Sequence, residues 1–452
     1  MEFFSKTINR LKVSSTTKVM ATIGSLHLAF VIFFDKVTAL APDEANYIAI
    51  FNKLYISDFS LDGYLGWQEG SINVLRAIYL PAKLLEIVGF TDFYAVRFLA
   101  VGYSMLSLYL LLMMAPDGRI LKRPIRFWLV GAYFVPSFFL WSSLGLRESF
   151  ISFSLISIFY LFAKPQNLNP RIQFLLMAAV STIFLITKIY LYGLLLVCLI
   201  ASVLIMAIKK RRIELNTLSL LSAFLVPLLF FPSLATGISA EAKATLEVKL
   251  ISPTSIPTPT SIPTPTSTVA ARGQTLHDLI QQFERNPILS WFSGASGVQS
   301  FLVGKAKASF LQVGSEELSK NDIQLQAQPA SLRDPMSLLV GAYNFLFIPT
   351  PFLDNGSFFL NIQSFESFAW YLYYLIFIIL LVGLIRDRYT LNLASIASSL
   401  FALGFITLSA LIETNDGTAV RHRAVLLIGI LVMLAAYRGK ESSYPQHKDS
   451  NF

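Results

Sequence analysis

The sequence predicts an all-α polytopic membrane protein. Of its 452 residues, 54% are hydrophobic and only 14% are charged, whereas soluble proteins carry about 25% charged residues. The mean hydropathy is +0.60. The apolar residues fall into runs close to the ~20 residues that cross a bilayer, with short basic segments between several of them. These observations predict a bundle of about ten transmembrane helices, or eleven if one further apolar segment also crosses.

The first predicted span is residues 19–40. It follows a basic N-terminus and has no persuasive small-residue cleavage site, so we interpret it as a membrane helix rather than a removed signal peptide. The other predicted spans are residues 95–115, 126–142, 149–163, 172–187, 189–208, 215–236, 369–385, 390–411 and 422–437.

Residues 337–353 are the segment that decides between ten and eleven spans. The apolar length is only about 14 residues and two prolines lie within it, which favours a re-entrant or interfacial segment. With ten spans every basic cluster falls on the cytoplasmic side, as the positive-inside rule requires, and both termini are cytoplasmic. These clusters lie at residues 6–18, 119–126, 209–212, 386–388 and 438–440.

This topology predicts three regions along the chain. Residues 1–236 form an N-terminal transmembrane bundle whose first outer loop, 36–95, contains interfacial helices. Residues 237–368 form a second outer insertion, in which the Pro/Thr/Ser-rich stretch 252–270 repeats SIPTPT and is typical of an extended, solvated spacer. Residues 369–452 form the C-terminal transmembrane helices and a cytoplasmic tail. We predict a multi-pass protein of the plasma (inner) membrane with its chemistry on the non-cytoplasmic side.

Composition excludes several classes of function. The net charge is +9, but the basic residues lie between spans, as the positive-inside rule expects for cytoplasmic loops. The charge therefore does not indicate nucleic-acid binding. A single cysteine, Cys198, excludes an intramolecular disulfide. No His/carboxylate spacing supports a zinc site.

The acid pair Asp43 and Glu44, followed by Tyr47, lies just after the first span. Acids at a bilayer surface can simply be hydrated. A positioned carboxylate can also remove the proton from an acceptor hydroxyl during nucleophilic attack. Either acid fits the role of base, and a divalent metal at the pair is left open, with no other cofactor indicated.

Cationic side chains lie in the predicted outer junctions between helices. Arginine and lysine there suit a phosphate, because a leaving phosphate gains negative charge. These residues also have purely structural explanations, which are pairing with each other, snorkelling to the lipid headgroups and capping of helix ends. The candidate residues are Arg147, Glu148, Lys188, Arg421, His422 and Arg423.

The first outer loop resembles that of the GT-C membrane glycosyltransferases, which include protein O-mannosyltransferases and lipid A aminoarabinose transferases. The resemblance lies in Asp43-Glu44, in an apolar interfacial stretch over 77–88, and in the Gly89–Arg97 segment GFTDFYAVR at the next helix entrance. Where many relatives have His-Pro-Pro, this chain has Ile78-Tyr79-Leu80-Pro81. That difference leaves the subfamily and the acceptor unassigned.

The resemblance implies an enzyme that transfers a sugar from a polyprenyl-phosphate donor to a glycan, lipid or protein acceptor at the non-cytoplasmic face. The alternatives are a polysaccharide polymerase of the O-antigen or exopolysaccharide type and a lipid or sugar transporter. The expected roles are catalytic for Asp43 and Glu44, donor phosphate-binding for Arg147, Lys188, Arg421 and Arg423, and substrate-binding for Tyr47, Arg97, Glu148 and His422.

Overall fold

A computed structural model describes residues 15–33, 42–54, 69–115, 119–163, 169–210, 214–230, 335–351, 358–386, 392–412 and 416–437. Within these ranges every regular element is helical, which confirms the all-α class. The helices are α1 Ser15–Phe33, α2 Pro42–Lys53, α3 Glu69–Ile87, α4 Asp92–Met114, α5 Arg119–Gly131, α6 Pro136–Ser143, α7 Glu148–Ala163, α8 Pro170–Thr187, α9 Ile189–Lys210, α10 Leu215–Phe230, α11 Pro335–Phe347, α12 Phe358–Ile385, α13 Leu393–Ile412 and α14 Asp416–Ala435.

Among the described residues, five helices are long and apolar enough to cross a bilayer. They are Asp92–Met114, Pro170–Thr187, Ile189–Lys209, Ser364–Ile385 and Leu393–Ala410. A bent pair, α5 with α6, would make a sixth span, and α1, α7 and α10 contain shorter apolar helices. The structure therefore supports a helical membrane protein, and the count of about ten spans stays a prediction.

The predicted span 126–142 is bent in the structure. A 3-10 turn, Ala132–Phe134, separates α5 from α6, and the two parts of the span meet at 67°. Pro136 occupies the first position of α6, and Val135 before it is extended, with φ −66° and ψ 119°. A residue before proline is disfavoured in the helical conformation, so the chain leaves the helix here and starts a new one.

Helix α14 lies in the interior of the bundle. Residues 423–436 are all buried, and Leu426, Ile430 and Val432 have no exposed surface. The helix packs against α4, α6, α7, α12 and α13. From residue 424 to residue 435 α14 is apolar on every side, a pattern typical of a helix in a protein core or a membrane span, and here neighbouring helices surround it.

Helices α2 and α3 pack on the start of α4 through a second apolar core. Tyr47 and Phe51 of α2 belong to it, with Leu75 of α3 and Val96 of α4. The other face of α3 exposes Leu80 and other apolar side chains, as expected for a helix that lies against lipid. This core fixes α2, the helix that carries the acid pair.

Helix α11 contains the first part of the predicted re-entrant segment. It has 13 residues and so spans only about 20 Å, less than the ~30 Å hydrocarbon layer. A cis peptide bond joins Ile348 and Pro349 just beyond it. The linker 252–270 and most of the insertion 237–368 lie outside the described residues.

Candidate functional site

Glu44 and Arg97 form a buried ion pair between α2 and α4. Arg97 Nε lies 2.7 Å from Glu44 Oε1, and Arg97 Nη2 lies 2.6 Å from Glu44 Oε2. Arg97 is fully buried and Glu44 is 4% exposed. The guanidinium carbon also lies 4.1 Å from the centroid of the Phe93 ring. Two parallel hydrogen bonds of this kind fix the position of both side chains.

The turn between α6 and α7 supplies a third donor to Glu44. The backbone N–H of Gly145 donates to Glu44 Oε1 at 2.8 Å. A β-carbon at position 145 would lie 3.0 Å from Val96 Cγ1 and 3.3 Å from Glu44 Oε1. Glycine therefore permits the close approach of this turn to α2 and α4.

Of the two acids in the predicted catalytic pair, these contacts involve Glu44. Both oxygens of Glu44 accept hydrogen bonds within the protein, so its role in the structure is to hold α2 against α4 and the α6–α7 turn. Asp43 is the preceding residue of the same helix. Its side chain lies outside the described part of the chain. Tyr47, one turn further along α2, is buried in the second apolar core.

A second polar cluster begins two residues after Gly145, at Arg147. Arg421 of α14 donates to Glu148 Oε1 from Nε at 2.7 Å, and its Nη2 lies 2.6 Å from the same oxygen. Arg147 Nε lies 3.9 Å from that oxygen. The Arg421 guanidinium also lies 5.3 Å from the ring centroid of Trp141. The side chains of Arg147, Glu148 and Arg421 are only 11–15% exposed.

Lys188 adds a third cation to this cluster. It interacts electrostatically with Glu148, as Arg421 and Arg147 do. Lys188 interrupts the helix between α8 and α9 with φ −150° and ψ 70°, and its Nζ lies 3.0 Å from Tyr190 Oη. The N-terminus of α9 follows it, and that of α7 begins at Glu148. Helix N-termini carry partial positive charge, so they reinforce the positive potential that the three cations create.

Arg423 was predicted to bind the donor phosphate and His422 to bind substrate, and in the structure they contact α11 and α13. Arg423 is 1% exposed, and its guanidinium donates to the carbonyls of Phe345 and Ile348 at the end of α11. It thereby satisfies helix-end carbonyls that have no partner within the helix. The His422 ring lies edge-on to Phe405, with centroids 6.5 Å apart.

Glu366 is a buried acid that the sequence prediction missed. Its Oε2 accepts from the Ser137 backbone N–H at 3.0 Å, and its Oε1 accepts from the Ser137 hydroxyl and from Trp370 Nε1, the latter at 2.7 Å. Through these bonds α12 caps the N-terminus of α6, the second half of the bent span. The signal was present in the sequence, since an acid beside a long apolar run is a site candidate by default.

The part of the chain that the structure describes holds no group of three or more His, Cys, Asp or Glu side chains that could bind a metal ion. Comparisons with protein-family models, with curated proteins and with solved structures find no match to this chain. The function must therefore be argued from the site itself.

Proposed function

We propose that this protein is an integral membrane glycosyltransferase that transfers a sugar from a polyprenyl-phosphate donor to an acceptor. The observation that carries the proposal is the convergence of Arg147, Lys188 and Arg421 on the single carboxylate of Glu148. Each cation also has contacts of its own within the protein. The feature that matters is the accumulation of positive charge around Glu148, which suits an anionic ligand.

A phosphate is the ligand that the chemistry of this cluster fits best. Arg147 and Arg421 present planar forks that match phosphate oxygens, and Lys188 adds a point charge. When a sugar leaves its lipid carrier, the phosphate gains one negative charge. Cations fixed in a poorly hydrated site stabilise that charge more strongly than water does. The low exposure of these side chains provides such a site.

Asp43 is the proposed base. The acceptor hydroxyl gives its proton to the Asp43 carboxylate while its oxygen attacks the anomeric carbon. The bond from that carbon to the phosphate oxygen breaks, and the polyprenyl phosphate leaves with the electron pair. Glu44 is already bound by Arg97 and Gly145 and therefore serves to position α2. The α6–α7 turn connects the two functions, because it anchors Glu44 at Gly145 and carries Arg147 and Glu148.

The proposed setting is a bundle of about ten spans in the plasma (inner) membrane, with the site on the non-cytoplasmic face. The basis is the distribution of basic clusters in the sequence. Both polar clusters meet at the α6–α7 turn, and the predicted topology assigns that turn to the outer side.

Two alternative functions, a polysaccharide polymerase and a transporter, are each favoured by a specific observation. A polysaccharide polymerase also binds a lipid-linked phosphate, and the cation cluster suits it equally. A transporter is favoured by the bent α5–α6 span and the buried Glu366 that caps its second half, because interrupted helices with polar partners are typical of transport sites.

The deciding experiment offers the purified protein a panel of polyprenyl-phosphate sugars in detergent or liposomes and follows donor consumption by mass spectrometry. Consumption of a monosaccharide donor supports the transferase. Elongation of a lipid-linked oligosaccharide supports the polymerase, and movement of donor across the bilayer without consumption supports the transporter. Either of the last two results, without consumption of a monosaccharide donor, would overturn the leading proposal.

The role of Asp43 is tested separately with Asp43→Asn. We expect transfer to fall by at least about a hundredfold, the usual contribution of a general base, with unchanged membrane insertion. Glu214→Gln is the matched control, since it changes an exposed acid just before α10. Turnover of Asp43→Asn at the wild-type rate would remove Asp43 from the mechanism.

A further inference from the structure

The two oxygens of the Glu148 carboxylate have unequal surroundings. Oε1 receives both contacts from Arg421, at 2.7 and 2.6 Å. Oε2 is buried and has no hydrogen-bond partner among the described residues. A buried carboxylate oxygen without a donor is unfavourable, because it has lost its hydration and gained nothing in return. Arg421 thus holds Glu148 through one oxygen only.

Carboxylate and phosphate oxygens are the same kind of acceptor for a guanidinium group, and both are bound by the same fork of N–H donors. Glu148 already occupies Arg421 and lies within electrostatic range of Arg147 and Lys188. It is therefore bound where a phosphate group would find its cations.

We infer that Glu148 is an internal anion that occupies Arg421 until a ligand phosphate displaces it. The inference rests on the proposed function only for the phosphate class of the ligand. On binding, the Arg421–Glu148 contact opens, a phosphate oxygen takes the place of Oε1, and the Glu148 side chain turns away. The single-oxygen contact makes the exchange feasible, because the ligand has to replace one accepting oxygen and the second was never satisfied.

The device would have two effects on binding. It neutralises three cations in part, which lowers the cost of holding them at low exposure. It also makes Glu148 a competitor of the ligand, so that carboxylates and other weak anions are rejected and only an anion that binds Arg421 more strongly gains entry. A phosphate monoester, which carries about −1.5 to −2 charges at pH 7 and so more than a carboxylate, meets that condition.

The test measures phosphate binding to the full-length protein in detergent by calorimetry, with inorganic phosphate and farnesyl phosphate as the two probes. Glu148→Gln removes the competing charge, and we expect it to bind the probes about tenfold more tightly than wild type, because the competing charge-assisted hydrogen bonds are lost. Glu148→Asp keeps the charge on a shorter side chain and should fall between the two. It also serves as the second variant if Glu148→Gln does not fold.

The matched control is Glu366→Gln, a buried carboxylate that bonds to Ser137 and Trp370 rather than to an arginine. Its affinity for both probes should equal that of wild type. Tighter binding of both probes by the Glu148 variants identifies the phosphate group itself as the ligand. Tighter binding of farnesyl phosphate alone identifies a lipid-linked phosphate.

Equal or weaker binding by Glu148→Gln would overturn the inference, since Glu148 would then support the site or contact the ligand. Binding of neither probe to any form would overturn it too. Sugar transfer is a separate readout, because tighter phosphate binding can appear in a protein that consumes no donor. Failure of the proposed function and failure of this inference are therefore distinguishable.

Discussion

Removing the charge of Glu44 should strongly destabilise the protein. In Glu44→Gln the two bonds from Arg97, at 2.7 and 2.6 Å, lose their anionic acceptor, and the amide group of glutamine brings hydrogens to one of them. Arg97 is fully buried and loses the opposite charge of Glu44. Breaking a buried pair from one side costs about 3–5 kcal/mol. We expect a loss of that size in the free energy of unfolding.

The assay compares wild type with the single variant by denaturant-induced or thermal unfolding in one detergent, followed by size-exclusion chromatography. The control is the double variant Glu44→Leu/Arg97→Met, which replaces both charges with apolar side chains. Such replacements are often neutral, but the Gly145 N–H also loses its acceptor, so the double variant should recover only part of the lost stability. The predicted role of the Glu44–Arg97 pair is wrong if Glu44→Gln is as stable as wild type. It is also wrong if the double variant is less stable than the single one.

Three further predictions concern packing, hydrogen bonding and pH. Gly404→Ala places a β-carbon 2.8 Å from Leu194 Cδ1, the end of a side chain that can shift, and alanine favours a helix by about 0.5–1 kcal/mol, so unfolding assays should show a net loss of no more than about 1 kcal/mol. Trp370→Phe removes one hydrogen bond to Glu366 and should cost about 1 kcal/mol, measured in the same way against Trp141→Phe, since the Trp141 indole N–H has no hydrogen-bond partner among the described residues. Burial disfavours the charged form of Lys83, but hydrogen bonds to two neighbouring carboxylates outweigh it and raise its pKa above 10.5. Its contribution to stability is therefore complete below pH 10.5 and lost as pH rises through the folded pKa, so the stability difference between wild type and Lys83→Met should vanish at high pH.

Much of the fold could be predicted from the sequence, because apolar length is what a membrane helix requires. The predicted spans 95–115 and 189–208 match α4 and α9 within a few residues. The sequence does not predict the bend at Val135, because residues 127–141 are apolar except for Ser137 and so resemble one continuous span. Proline at position 136 carried the signal, since the residue before a proline is disfavoured in a helix.

The sequence singles out most residues of the two polar clusters, but it does not show which of them contact each other. The acid pair and the cations at helix junctions stood out because charge is rare in this chain. The pairing of Glu44 with Arg97, 53 positions apart, depends on how α2 packs on α4, which no local pattern contains. Glu366 was missed because the predicted span began at residue 369, so the acid was counted as part of a loop, whereas α12 begins at Phe358.

The buried position of α14 has a consequence for how the protein is made. The helix is the last that the structure describes, yet α4, α6, α7, α12 and α13 all pack against it. Helices that leave the ribosome earlier enter the membrane with the surface that will face α14 still open. The bundle therefore closes only when residues 416–435 arrive. A nascent chain stopped at residue 412 would leave that surface to lipid or to quality control, so the earlier helices cannot complete their packing until α14 has been translated.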